Sequence, residues 1–140
     1  MKILKNTNVD YQWVKLEKTF FGFKKDLFIS VTYNPHISSK YTEELKHDIL
    51  DCIEKDIAHC NKLENILLCG DFNARISCEH DFILSDESKF TPIYEDYKTD
   101  KNIPKRQSRD TRIDQRRKEL LDLCISNQLR ILNGSPWGNF

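Results

Sequence analysis

NILLCGDFNARIS (residues 65–77) joins a short, wholly apolar run to Gly-Asp-Phe-Asn. An apolar run of this length without polar alternation suits a strand covered on both faces, and such strands belong to layered α/β folds. Gly70 lets the backbone turn tightly and approach a ligand. Asp71 then emerges at the carboxyl end of the strand, where α/β proteins gather polar loops over a rigid sheet. Residues two apart in extended chain point the same way, so Asp71 and Asn73 would face one cleft, with Phe72 turned into the core. A carboxylate beside an amide can accept a proton from water, orient that water, or bind a hard cation through oxygen. The same residues also suit a plain Asp-Asn turn whose side chains bond only nearby backbone.

Upstream, YQWVKL (11–16) and LFISVTY (27–33) are rich in β-branched and aromatic residues and read as strands. EKTFFGFKKD between them reads as a hairpin connection with Gly22 as its turn residue. Pro35 ends the second strand, since it has no N–H for a ladder. Residues 42–60 read as one amphipathic helix: Leu45, Ile49, Cys52, Ile53, Ile57 and Cys60 recur at spacings of three and four. Glu43 and Glu44 suit its first turn, and Ser39 or Thr42 its cap. Residues 72–110 show no sustained periodicity, and loops of that length are usually functional or disordered. DQRRKELLDLCISNQ (114–128) reads as a helix with Leu120, Leu121, Cys124 and Ile125 inward, followed by a strand at LRILN (129–133). The expected class is α/β (α+β), with mixed sheets flanked by helices.

The chain has 140 residues, ordinary for one domain, and its net charge is zero. That argues against a generic nucleic-acid binder. The charge is uneven, however: residues 43–96 carry fourteen acids against five Lys and Arg, and residues 98–118 carry nine Lys and Arg against three Asp. The second stretch leaves room for a phosphate-bearing partner. No apolar run approaches the ~20 residues that span a bilayer, so no membrane partner is expected. No secretory signal precedes the first strand, and the odd number of cysteines, five without a C-x-x-C pair, favours reduced thiols and an intracellular location.

LLCGDFNAR resembles the signature of the endonuclease/exonuclease/phosphatase superfamily, and the fit is closest to the apurinic-type endonuclease domain of non-LTR (LINE-type) retrotransposons. WVKL…FF…KDLFISVTYNP resembles the hairpin leading to that family's Tyr-x-Pro loop, and LLDLCISNQLRILNG resembles the helix and strand after its long loop. The resemblance implies a partial four-layer α/β sandwich, with residues 1–140 an internal fragment of one such domain. It implies Mg²⁺-dependent hydrolysis of DNA phosphodiesters, with Mn²⁺ as a substitute ion, an activity incomplete and weak or absent in this chain alone. It assigns Asp71 to the attacking water, Asn73 to the phosphate, water or metal shell, and Tyr33 to the scissile phosphate. His36 stands where apurinic endonucleases often have Asn, and remains a phosphate donor; Arg75 is a phosphate contact by its position. The metal site would be partial, Asp71 and Asn73 alone, because the family's upstream Glu has no counterpart before Tyr11. The downstream Asp-His pair also has no counterpart before GSPWGNF. The resemblance further implies a parent polyprotein with a reverse transcriptase and a nuclear site of action. Two alternatives remain: a non-catalytic remnant of marginal stability, and a lipid or inositol-phosphate phosphodiesterase of the same superfamily.

The remaining chemistry-bearing residues have plainer readings. His47 and His59 suit a helix surface. Cys78, Glu79, His80 and Asp81 cluster in sequence, but at no recognised metal spacing. Lys105, Arg106, Arg109, Arg112, Arg116 and Arg117 suit a solvated face, with a nucleic-acid backbone as the alternative. Trp13 suits the core rather than base stacking.

Overall fold

The computed structural model describes residues 2–4, 10–45, 47–60, 64–83, 106–108 and 111–134. The chain divides into two compact units, Met1–Asn73 and Ala74–Phe140. Helices and a mixed sheet together make the class α/β.

The first unit is built on a four-stranded sheet in the order β1 (Lys2–Leu4), β2 (Tyr11–Leu16), β3 (Leu27–Tyr33), β4 (Asn65–Asp71). β2 and β3 occupy the residues read as strands from sequence. They pair antiparallel from Tyr11↔Thr32 to Leu16↔Leu27. β1 pairs antiparallel with β2 and had no sequence expectation. The β2–β3 connection carries the short helix α1 (Lys18–Phe21). Gly22, the residue read as the turn, ends this helix in the left-handed conformation at φ 72°. At the hairpin base Lys15 Nζ lies 2.6 Å from Asp26 Oδ2, and Asp26 Oδ1 accepts from Lys18 N at 2.8 Å. These contacts, the lysine ammonium first, hold the Asp26 carboxyl below its ordinary range.

The expected single helix over 42–60 is two: α2 (Lys40–Glu44) and α3 (Ile49–His59). Asp48 divides them. Its side chain accepts from Leu50 N and Asp51 N, at 2.8 and 3.4 Å, and so caps a new helix rather than continuing the old one. Leu45 is accordingly extended, at φ −68° and ψ 126°. Ser39, one of the two caps read for the longer helix, caps α2 instead, accepting from Thr42 N.

Ile49, Leu50, Ile53 and Ile57 of α3 are buried. The sheet face formed by Trp13, Ser30 and Thr32 is buried as well, and Trp13 Nε1 donates to Asp56 Oδ2 of α3 at 2.8 Å. Trp13 is therefore core, as expected. The two buried hydroxyls, Ser30 Oγ and Thr32 Oγ1, satisfy each other at 3.0 Å. The opposite sheet face is open: Val31 is 54% and Leu67 37% exposed. The expectation that the Asn65–Cys69 run is covered on both sides is thus overturned. β4 ends the sheet order and buries only part of its apolar surface.

The second unit centres on α4 (Arg116–Ser126), whose Leu120, Leu121, Leu123 and Cys124 are buried together with Phe82. Leu123 joins the inward set, and Ile125, expected inward, is only half-buried. Burial pushes the Cys124 thiol up to about 12. The expected strand at 129–133 does not form. Its donors are spent elsewhere: Leu129 N on Cys124 O at 2.8 Å and Ile131 N on Asp81 Oδ2 at 2.5 Å. A strand exists only by pairing, and Asp81 takes the donor that a ladder would need. Of the long loop read at 72–110, residues 84–105, 109 and 110 lie outside the described residues; the rest is irregular.

Candidate functional site

β3 and β4 run parallel, and their last residues are register partners: Tyr33 opposite Asp71. Partners across a ladder share a sheet face, so both side chains stand at the carboxyl end on the open face. Both are exposed, Tyr33 at 54%. Asp10 continues the pattern on the other side, its carbonyl accepting from Tyr33 N at 2.7 Å.

Gly70 makes this end possible. Its φ is 127°, and a Cβ there would lie 1.9 Å from the Thr32 carbonyl oxygen. The chain then turns back on itself. Asp71 Oδ1 accepts from Asn73 N at 2.9 Å, the bond of an Asx turn. Asn73 is left-handed at φ 46°, a conformation Asn tolerates better than most residues. Its Nδ2 donates to Asn34 O at 2.9 Å. The plain Asp-Asn turn is therefore realised by these residues.

Asn34 is the residue that sequence reasoning passed over. Its N donates to Asp71 O at 2.7 Å and its Nδ2 to Phe72 O at 3.3 Å. It is 1% exposed, and its Oδ1 is buried with no hydrogen-bond partner among the described residues. A buried orphan acceptor costs about 1–3 kcal/mol, which marks a corner whose geometry is imposed by its surroundings. The only sequence signal was a polar residue wedged between a strand and a proline.

Asp10 was also missed. It is buried, and its Oδ1 accepts from Tyr41 OH at 2.7 Å. That bond, then burial, raises the Tyr41 phenol above its ordinary value. Tyr41 thereby ties the segment after β3 to the start of β2.

His36 stands in the same segment, exposed, with Nδ1 against Ser38 Oγ at 2.8 Å and Ser38 N at 3.3 Å. Accepting from Ser38 N places the ring proton on Nε2. Its hydrogen bonds stay within its own segment and do not reach Asp71 or Asn73. Arg75 belongs to the second unit, where its N donates to Asp114 Oδ2 at 2.9 Å.

The Cys78–Asp81 cluster has structural work. Cys78 Sγ meets Ser108, Glu79 pairs with Arg117 at 2.9 Å, and His80 lies edge-on to Phe82. Among the described residues no group of three or more His, Cys, Asp or Glu is arranged to hold a metal. The basic stretch is partly spent too: Arg106 donates to Ser77 O and Glu79 O, and Arg116 is buried rather than solvated. Lys105 and Arg109 lie outside the described residues. His59 is exposed on α3, as expected; His47 is exposed too, but between α2 and α3 rather than on a helix.

One carboxylate and one amide oxygen make a sparse donor set. It suits an ion that keeps most of its waters and takes one or two carboxylates, which is the habit of Mg²⁺ rather than of Zn²⁺ or Ca²⁺. No helix of the described residues is long and apolar enough to cross a membrane. Comparison with protein-family models, with curated proteins and with solved structures gives no match.

Proposed function

We propose that this chain is a phosphodiesterase domain acting on DNA, of the endonuclease type found in non-LTR retrotransposons. The observation that carries the reading is the Tyr33–Asp71 register at the carboxyl end of two parallel strands, with Asn73 folded back beside them. On this reading Asp71 orients the attacking water and takes its proton, with Asn73 N holding the carboxylate. Tyr33 and His36 Nε2 are hydrogen-bond donors for phosphate oxygens. Mg²⁺, or Mn²⁺ in its place, would be held by Asp71 with the Asn73 amide oxygen and would stabilise charge developing on the phosphorane. The reading carries with it a four-layer sandwich, in which a further layer covers Val31 and Leu67, and a nuclear setting alongside a reverse transcriptase.

One observation favours a second reading. The candidate site opens onto bare apolar sheet, and its donor set is sparse, as suits a non-catalytic remnant. Supercoiled plasmid incubated with Mg²⁺ separates the two. Nicking that chelator stops and Asp71→Ala abolishes supports the nuclease. A folded chain that leaves the plasmid intact supports the remnant, and nicking that survives Asp71→Ala refutes the site. Hydrolysis of inositol phosphates with DNA left whole would move the chain to the lipid-phosphate branch.

A further inference from the structure

The hairpin tip between β2 and β3 carries three phenylalanines that the core does not take up. Phe20 is 79% exposed, Phe21 41% and Phe23 43%. They pack on one another instead. Phe20 meets Phe21 edge-on at 4.9 Å between centroids, and Phe21 and Phe23 stack with their planes 15° apart at 5.9 Å. Around them Lys18, Lys24 and Lys25 are all exposed and enter no ion pair among the described residues. The nearby acids are partly engaged. Asp26 is tied to Lys15 and to Lys18 N, and Glu64 accepts from Asp26 N, which leaves Glu17 as the exposed acid at the tip.

We propose that this tip is a binding site for single-stranded nucleic acid, with the Phe rings as stacking platforms and the lysines as phosphate contacts. Aromatic faces beside backbone-tracking cations are how proteins hold unpaired strands, since every base offers a π-face whatever its sequence. The near-parallel Phe21 and Phe23 rings present such a face, with Phe20 standing proud of them. An anionic bilayer is the poorer fit. Lipid-binding basic clusters usually hold about four to eight Lys or Arg, more than the tip carries, and two of its three rings are more than half covered. Duplex DNA is poorer still, because its bases are already stacked on each other.

The site is distinct from the Asp71 corner. The tip lies at the amino end of β3 and Tyr33 at its carboxyl end, and seven residues of strand put them about 20 Å apart. Binding at the tip therefore stands whether or not the phosphodiesterase reading does.

The test is fluorescence anisotropy of the full chain with a labelled oligothymidylate, about 20 nucleotides long so as to exceed one stacking site. Phe20→Ala, in a side chain too exposed to matter to folding, should weaken binding roughly five- to a hundredfold, the range for removal of one stacked base. Phe20→Tyr should restore it. Lys24→Glu with Lys25→Glu should weaken binding and flatten its salt dependence by about 1.4 in log–log slope, about 0.7 for each phosphate that a lysine no longer neutralises. The proposal fails if Phe20→Ala and Phe23→Ala bind like the parent chain, or if duplex of the same length binds more tightly. It also fails if the chain takes up phosphatidylserine vesicles but not oligonucleotide, or if the Phe variants change only its self-association.

Discussion

Replacing Gly70 by Ala tests the joint between the sheet and the candidate site. The new Cβ would sit 1.9 Å from Thr32 O and 2.8 Å from Thr32 C, both backbone atoms that no rotamer change can move. Either β4 shifts relative to β3, or the Thr32–Gly70 end of the ladder opens. Two costs combine. Holding a non-glycine residue at φ 127° costs about 1–3 kcal/mol. Relieving the overlap costs about 1–3 kcal/mol more, as overpacking generally does. Opening the ladder end would also take the Asn34 N to Asp71 O bond with it, about 1 kcal/mol. The loss is therefore about 2–7 kcal/mol, against a typical total stability of about 5–15 kcal/mol. Urea unfolding followed by circular dichroism reads it directly. With a slope of about 1–3 kcal/mol per molar, the midpoint should fall by at least about 0.7 M, and Gly70→Ala should be partly unfolded without denaturant if the parent is marginal. Gly22→Ala is the control. Its φ is also positive, at 72°, but its Cβ meets nothing within 4 Å, so it should cost only the strain of about 1 kcal/mol. A Gly70→Ala midpoint equal to that of Gly22→Ala would show that the Thr32 overlap does not exist.

Other expectations follow from single interactions. Trp13→Phe keeps most of the buried ring but strands the Asp56 carboxylate, and should cost about 1–3 kcal/mol in the same urea experiment; Asp56→Asn, which can still accept, should cost less. Asp26 is held below its ordinary value when folded, so its contribution is fully present above the unfolded value near 3.9 and is lost as pH falls through the folded one. Asp26→Asn should accordingly flatten the stability–pH curve below about pH 4 and leave its shape at neutral pH unchanged. Cys124, pushed up to about 12, is about one part in ten thousand thiolate at pH 8, so iodoacetamide should alkylate exposed Cys78 in the native chain and spare Cys124 until denaturant is added. Asn34→Ala removes the donor to Phe72 O together with the orphan Oδ1, and should speed backbone hydrogen exchange at 71–73 while leaving β2 and β3 protected.

Alternation and turn chemistry are local, and where they alone decide structure the sequence was sufficient. The bounds of β2 and β3 and the turn at Gly22 were legible, and the inner face of α3 in part: Ile49, Ile53 and Ile57 are buried as read, while Leu50 joins them and Cys52 and Cys60 are only half-buried. The split at Asp48 was also written locally. It went unread because the apolar spacing runs unbroken through the cap, and periodicity does not register a side chain competing for backbone donors. The strand at 129–133 had the right composition and failed for want of a partner, its donors going to Asp81 and Cys124. Asp71 and Asn73 stood out in the sequence as an acid and an amide at the end of an apolar run. That Tyr33 lies beside Asp71, and that Asn34 clasps both Asp71 and Asn73, was decided only when β3 and β4 paired in parallel at one register. Nothing within either strand fixes that register. A shift of one residue would turn the β4 side chains to the other face and part Asp71 from Tyr33; in the register that forms, Gly70 meets the Thr32 backbone, a close approach that a residue without a Cβ allows and that exists only in the folded chain.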